Sequence, residues 1–305
     1  MKGKNNKGKG RILITGCSGF IGRHAVSYAL KSGYGVVGLD IKDLEVSHPN
    51  LRFIKGSITD NKAVQRAAKG CDYVVHLAAA TSLPDFQYNL YRDYGINVVG
   101  FLNVIEAARK NKCRKFVYAS SSAVYLDEYS EESEIDIRKL RNHYGKSKLI
   151  DDAIADSYID SGNLSAVGLR YFNVYGPWEE VKLRPSPITQ FIASKKKDNT
   201  ITLFGDGKQA KDFIHIDDVI KITFKLMASR KSLGVYNVGT GIATSFLSVA
   251  RMMKPKRILF VKNPYKSSYI YYLKADTKRL LKEISGYKFI SVKDGVSRLM
   301  KENGL

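Results

Sequence analysis

Along the first 175 residues, short apolar runs alternate with longer stretches in which apolar positions recur every three or four residues. Arg11-Ile12-Leu13-Ile14-Thr15 is apolar at consecutive positions, which predicts a strand buried on both faces. Ile21 to Lys31 follows, with Ile21, Ala25, Tyr28 and Ala29 on one side of a helix. Tyr34 to Asp40, Leu51 to Lys55, Asp72 to Leu77, Lys115 to Ala119 and Ser165 to Arg170 read as further strands. Helical periods return over Asp60 to Lys69, over much of 88–111 and over Tyr144 to Ile159. Strands alternating with helices predict parallel β-α-β units, hence an α/β fold with a doubly wound, Rossmann-type parallel sheet over 11–175. After Gly176-Pro177 the pattern loosens, and Pro185 and Pro187 break the chain. Residues 176–305 are therefore expected to form mainly a smaller α/β substrate-binding domain. Two pieces, near 212–230 and 234–240, are expected to return to the first domain. Residues 1–10, basic and glycine-rich, read as a disordered tail.

Composition narrows the class. The 305 residues are 44% hydrophobic and 26% charged, ordinary for a soluble globular protein. No apolar run reaches the ~18 residues of a membrane span, and the N-terminus lacks the apolar core of a secretory signal. Cys17, Cys71 and Cys113 are odd in number and widely spaced, matching neither a disulfide framework nor a metal site. A cytoplasmic protein without metal or membrane attachment is expected. Net charge is +21, from 50 basic and 29 acidic residues. The lysines are spread along the chain, and no RNA-binding aromatic signature or helix-turn-helix accompanies them. No nucleic-acid partner is expected, although a positive field would suit an anionic small substrate.

Two motifs carry chemistry. The first is Gly16-x-x-Gly19-x-x-Gly22, placed between a predicted strand and a predicted helix. Glycines there let backbone N–H groups approach a pyrophosphate, and the helix N-terminus adds partial positive charge. Asp40 ends the second strand, 18 residues beyond Gly22 (40 − 22). A carboxylate at that point accepts ribose hydroxyls and repels a 2′-phosphate, which favours NAD over NADP. The second motif is Tyr144-x-x-x-Lys148, a spacing that puts both side chains on one helical face. A phenol, losing its proton near ~10, is a poor base at neutral pH; a neighbouring ammonium favours the phenolate. A serine cluster, Ser120-Ser121-Ser122, follows the strand that starts at Lys115. One hydroxyl there can bridge a substrate hydroxyl and the tyrosine. Together these features predict a nicotinamide-dependent enzyme that oxidises an alcohol.

In combination these residues resemble the extended short-chain dehydrogenase/reductase family, and its nucleotide-sugar epimerase/dehydratase branch. The resemblance runs from Arg11 to about Leu281. It rests on TGCSGFIG (15–22), HLAAA (76–80), INVVGFLNVIEAA (96–108), ASSSAVY (119–125), YGKSK (144–148), LRYFNVYGP (169–177), LFGDGKQAKDFIHIDDV (203–219) and YNVGTG (236–241). It implies Ser121, Tyr144 and Lys148 as the catalytic set. It implies cofactor contacts from Gly16, Gly19, Phe20, Ile21, Gly22, Asp40, Ser57, Ile58, Leu77, Ala78, Ala79, Asn97 and Tyr171, besides Tyr144 and Lys148. Asn97 matches an asparagine that supports the active-site loop. For the substrate it implies Asn173 beside the diphosphate and Phe204 against the base. Lys211 and Lys266 stand where the family has arginines for the diphosphate. Leu273 stands at a position gating the C2 substituent of the sugar. A homodimer, pairing the helix before 111 with the helix starting at 144, is the family's common assembly.

Departures from the family pattern shape the expectation. Ser57 replaces an aspartate that bonds the adenine, and Lys211 and Lys266 act as point charges rather than forks. Leu126 stands for a glycine, and Ser268-Tyr269 for a Gly-Asp pair. Related dehydratases carry Asp-Glu where this chain has Ser122-Ala123, which argues against water elimination and for 4-epimerisation. The reading is an NAD-dependent 4-epimerase acting on a UDP-sugar. A 4-reductase, a decarboxylating dehydrogenase and a non-catalytic NAD-binding protein remain the alternatives. Leucine at 273 is intermediate in size, with a lean toward the unacetylated hexose.

Overall fold

Arg11–Thr15 (β1) buries Ile12, Leu13 and Ile14 completely, and it is an interior strand of the main sheet. The computed structural model describes residues 9–81, 88–125, 138, 140, 142–264 and 271–305; Leu126, Lys266, Ser268 and Tyr269 lie outside them. Gly35–Asp40 (β2) and Tyr73–His76 (β4) flank β1, both parallel to it. Leu51–Lys55 (β3) lies beyond β2, and Lys115–Ser121 (β5) beyond β4, again parallel. Ala166–Tyr171 (β6) and Gly234–Val238 (β10) complete seven strands in the order β10-β6-β5-β4-β1-β2-β3. The chain leaves β1 toward β2 and β3, then returns to its other side at β4. That reversal opens a crevice beyond the carboxyl ends of β1 and β4, where ligands bind in such sheets.

The chain divides into two compact units. The first comprises Met1–Ser120, Arg141–Leu169 and Thr223–Val235. Its helices are Phe20–Lys31 (α1), Asn61–Ala68 (α2), Leu90–Tyr94 (α3), Gly100–Lys110 (α4) and His143–Asp160 (α5). Small residues let α2 sit tight on the sheet and on α4. Ala63, Val64, Ala67 and Ala68 share one core with Leu13, Val74, Val104 and Phe116. Asp60 caps α2 by accepting from Lys62 N and Ala63 N, and Asn142 caps α5 through Gly145 N. Such caps are worth about 1 kcal/mol each.

The helix expected over much of 88–111 is not continuous. A π-helical stretch, Gly95–Val99, separates α3 from α4. At its centre Asn97 is 1% exposed, and its carboxamide bonds the chain at Ala80 and the hydroxyl of Ser147 on α5. A periodicity argument sees the apolar face of this segment but not a polar side chain that must turn inward. Wider turns of this kind cluster at functional sites.

The second unit comprises Ser121–Leu140, Arg170–Ile222 and Tyr236–Leu305. Ala210–His215 (β9) is its axis. It pairs antiparallel with Ala243–Ser245 (β11), and parallel with Asn173–Tyr175 (β7) and Tyr272–Leu273 (β13). A separate parallel pair joins Thr200–Phe204 (β8) to Arg257–Val261 (β12). Pro187–Asp198 (α6) starts from a Ser186 cap and ends at Asn199, whose φ of 58 is the left-handed stop of a helix. It packs Ile188, Phe191 and Ile192 on Leu203, Phe213 and Phe246. Asp212 is fully buried and accepts from Thr240 N, Thr240 Oγ1, Gly241 N and Ala275 N, which ties three segments together. Burial pushes its carboxyl up, against those hydrogen bonds.

A buried histidine gives the first unit a pH signature. His76, 2% exposed, lies among Phe101 and Phe116 at the end of β4. Burial, aided by Lys148, pushes its pKa down to about 3. In the unfolded chain an imidazole takes its proton near ~6.5. The folded pKa is depressed, so the stabilisation is complete above about 6.5 and is lost as pH falls toward 3. His76→Gln is expected to flatten the pH dependence of stability by up to about 1.4 kcal/mol per pH unit across that window. Urea unfolding at stepped pH checks this; an unchanged slope would mean that His76 already titrates in the folded protein.

Candidate active site

The glycine turn after β1 is built by close backbone approach. Gly16 has φ +69, and a Cβ there would lie 2.7 Å from Ala78 N. A Cβ on Gly22 would lie 2.0 Å from Gly16 O, so α1 touches the turn through bare backbone. Gly19 precedes α1, which has no side-chain cap. Its first N–H groups are left for solvent or for a ligand oxygen. Phe20 and Gly22 are buried and Ile21 is half-buried in that first turn. Asp40 closes the far side. Its Oδ2 accepts from Ser18 N at 2.9 Å and its Oδ1 from Lys42 N at 3.0 Å. Each oxygen keeps a second lone pair for a ligand hydroxyl. This cradle, with no room for side chains and a carboxylate at its rim, fits a dinucleotide.

The wall opposite the turn is the end of β4. Thr15 Oγ1 accepts from Leu77 N and Ala78 N, at 3.2 and 3.3 Å. Its single proton therefore goes to His76 Nδ1, 2.7 Å away, which fixes the neutral Nε2–H tautomer. This pair shapes the strand end at Leu77, Ala78 and Ala79. The sequence pattern did not single it out; a threonine and a histidine ending two apolar strands were the available signal. The Ser57 hydroxyl bonds the Thr59 hydroxyl and accepts from Thr59 N, which makes Ser57 a turn residue, while Ile58 is 5% exposed in the core.

Helix α5 carries the candidate acid–base pair. Tyr144 lies in its first turn, and Ser147 Oγ donates to Tyr144 O at 2.8 Å. Asn97 holds Ser147 in turn, so its amide is engaged by protein on three sides. Lys148 is 2% exposed, and its Nζ lies 3.1 Å from Asp151 Oδ2. Burial works against the ammonium, but Asp151 and Tyr144 more than offset it, and the pKa of Lys148 is raised. Burial pushes Asp151 up to about 7, against the pull of Lys148. Asp151 was not among the expected site residues. Its spacing, three beyond Lys148 on the same face, was legible, but its burial was not.

In the second unit, Ser121 ends β5 and accepts from Ala123 N at 3.1 Å, capping a short helical turn over Ser122–Val124. Tyr125 donates to Asn237 Oδ1 and accepts from Arg170 Nη1 at 3.0 Å. Tyr171 is 7% exposed on β6. Asn173 Nδ2 donates to Asp212 O at 3.2 Å. Lys211 is 9% exposed on β9, and Leu273 on β13 is its register partner. Neighbours in register on parallel strands share a face, so a buried cation and a buried leucine line the same side. Phe204 ends β8, half-buried, with its carbonyl accepting from Gly207 N and Gln209 Nε2. Among the described residues no His/Cys/Asp/Glu cluster could hold a metal ion, and no helix is long and apolar enough to cross a membrane.

The NAD-dependent epimerase/dehydratase family matches residues 12–239. A Methanocaldococcus jannaschii protein, provisionally assigned as a UDP-glucose 4-epimerase, is 30% identical over 96% of this chain and 99% of its own length. UDP-N-acetyl-alpha-D-glucosaminuronate decarboxylase of Bacillus cytotoxicus is also 30% identical, over 80% of this chain and 79% of its own. The solved structure of UDP-glucose 4-epimerase from Thermus thermophilus, in complex with NAD, superposes with a TM-score of 0.80 at 26% identity. It covers 94% of this chain and 96% of that one.

Proposed function

The chain belongs to the NAD-dependent epimerase/dehydratase family, and on that premise we propose that it is a nucleotide-sugar 4-epimerase acting on a UDP-hexose. The observation that carries the reading is one face of α5. Tyr144 and Lys148 stand one turn apart there, while Ser122 and Ala123 supply no carboxylate for dehydration. NAD bound in the glycine cradle supplies an acceptor and donor of hydride for the sugar C4. Tyr144 takes the proton of the 4-hydroxyl and returns it. Ser121 hydrogen-bonds the same hydroxyl and orients it. Lys148 favours the phenolate of Tyr144 and holds the nicotinamide ribose. Gly16, Gly19 and Gly22 admit the pyrophosphate, Phe20 and Ile21 present the first amides of α1, and Asp40 takes the adenosine ribose. Leu77, Ala78, Ala79 and Tyr171 wall the nicotinamide side, and Ser57, Ile58 and Asn97 shape the cofactor rim. Asn173, Phe204, Lys211 and Lys266 hold the UDP moiety. Leu273, buried beside Lys211, favours a hexose without an N-acetyl group.

The test is a panel of UDP-, GDP-, dTDP- and CDP-sugars, followed by NMR for the 4-epimer. Conversion of a UDP-hexose without net NAD consumption is the expected result. Net consumption of NADH would instead establish a reductase, net consumption of NAD with loss of carbon dioxide a decarboxylating dehydrogenase, and no turnover at all a binding protein. We also propose a cytoplasmic homodimer joined through α4 and α5; Val99 and Leu102, 52% and 37% exposed, offer apolar surface for it.

Two further outcomes are expected. Calorimetry should find NAD bound more tightly than NADP, and Asp40→Ala should narrow the difference; equal wild-type affinities would refute the role of Asp40. Lys211→Ala should raise KM more than it lowers kcat, because a diphosphate is held alike in ground and transition states. An unchanged KM would place the diphosphate elsewhere.

A further inference from the structure

Helix α5 buries a polar stripe where a helix on a sheet ordinarily buries an apolar one. Lys148, Asp151 and Asp152 are 2%, 0% and 4% exposed. With Tyr144 they fall at i, i+4, i+7 and i+8, on one face. Burying ions costs several kcal/mol per charge, and breaking a buried pair leaves the surviving partner stranded. Asp152 is satisfied in part from β5, accepting from Ser120 Oγ at 3.2 Å. Asp151 Oδ2 holds Lys148, and among the described residues its Oδ1 is buried without a hydrogen-bond partner. Among the described residues the lysine is the side-chain partner of Asp151.

We propose that Asp151 is a positioning residue of the catalytic helix, keeping Lys148 charged and aimed in dry surroundings so that Tyr144 can give up and recover its proton. This rests on Tyr144 and Lys148 being the acid–base pair of the proposed reaction. Among the described residues, the titratable groups facing the pair come from three elements. Tyr144, Asp152 and Asp156 share helix α5; His76 faces Lys148 from β4; Tyr118 faces Asp151 and Asp152 from β5. On α4 the carboxylate of Glu106 is engaged by Tyr158 and Arg109 instead. His76 is held neutral by burial, and burial holds the Tyr118 phenol protonated. Without Asp151, Asp152 and an ionised Tyr144 are the groups among the described residues left to offset the burial of Lys148. Buried lysines then shed their proton more readily. A neutral Lys148 withdraws its support from the phenolate, so the base form of Tyr144 appears only at higher pH.

The experiment uses full-length, NAD-saturated protein carrying Asp151→Asn or Asp151→Ser, with Asp151→Glu as the conservative variant. The first readout is the pH profile of kcat/KM. The second is tyrosinate absorbance against pH, taken as the difference from the same protein carrying Tyr144→Phe, which requires no substrate. Both midpoints are expected to move alkaline by ~1 pH unit or more in the Asn and Ser variants, with kcat at neutral pH down at least ~10-fold. The Glu variant should move both back toward wild type. An unchanged tyrosinate midpoint in either folded variant, whatever its Tm, overturns the proposal and leaves Asp151 a packing residue. If no nucleotide sugar is epimerised but the absorbance shift is present, the proposed function fails while the role of Asp151 stands.

Discussion

Tyr144→Phe is expected to keep the fold and NAD binding while lowering kcat at least ~10²-fold, the usual scale for a positioned acid–base group. The substitution removes one oxygen and leaves the ring. Tyr144 contributes to the first turn of α5 through its carbonyl, which accepts from Ser147 and which the substitution leaves in place. Asn142 caps the helix from outside through Gly145 N. Melting temperature and NAD affinity should therefore stay near wild type while turnover collapses. KM should change little, since the phenol acts on a proton in flight rather than on the bound diphosphate. Near-normal turnover by this variant would remove Tyr144 from the mechanism and return attention to Ser121.

Gly22→Ala is expected to have the largest effect on folding of any single methyl addition in the first unit. The added Cβ would stand 2.0 Å from Gly16 O and 2.8 Å from Cys17 Cα, both backbone atoms. Neither can step aside. Gly16 N is bonded to Leu39 O at 2.9 Å, and Gly16 lies against Leu77 and Ala78. Relief requires α1 to move off the sheet, taking Ala25, Val26 and Ala29 out of the core. A loss on the order of 4 kcal/mol or more, with NAD binding abolished, is the scale of such diagnostic changes. Gly19→Ala is the informative control. Its Cβ would meet only Gly16 O, at 3.3 Å, so the protein should fold while the methyl group obstructs approach to the first amides of α1. Chemical denaturation and NAD calorimetry on both variants separate the two roles. A Gly22→Ala protein as stable as wild type would mean that the turn is looser than its geometry.

Much of this was legible along the chain because the relevant signals are local. Apolar runs and helical periods placed β1 to β6 and α1, α2 and α5 within a residue or two of their observed ends. The glycine spacing located the strand-to-helix turn, and Asp40 stood at the end of β2 as expected. The π-helical stretch at Gly95–Val99 escaped, since nothing in a 3.6-residue period announces that Asn97 will turn inward to serve Ala80 and Ser147.

The sequence by itself determined the alternation of strands and helices, the bare-backbone turn and the shared face of Tyr144 and Lys148. Each depends on residues within a few positions of one another, where sterics and helical geometry are decided. Tertiary structure alone decided which polar groups are buried and what satisfies them. Thr15 meets His76 across 61 residues, and Asp212 gathers Ala275 across 63. Asp151 lies only three residues from Lys148, yet their pairing matters because packing excludes water from both. Charge strength in a protein is set by the surrounding dielectric, and that belongs to the folded surroundings rather than to the order of residues.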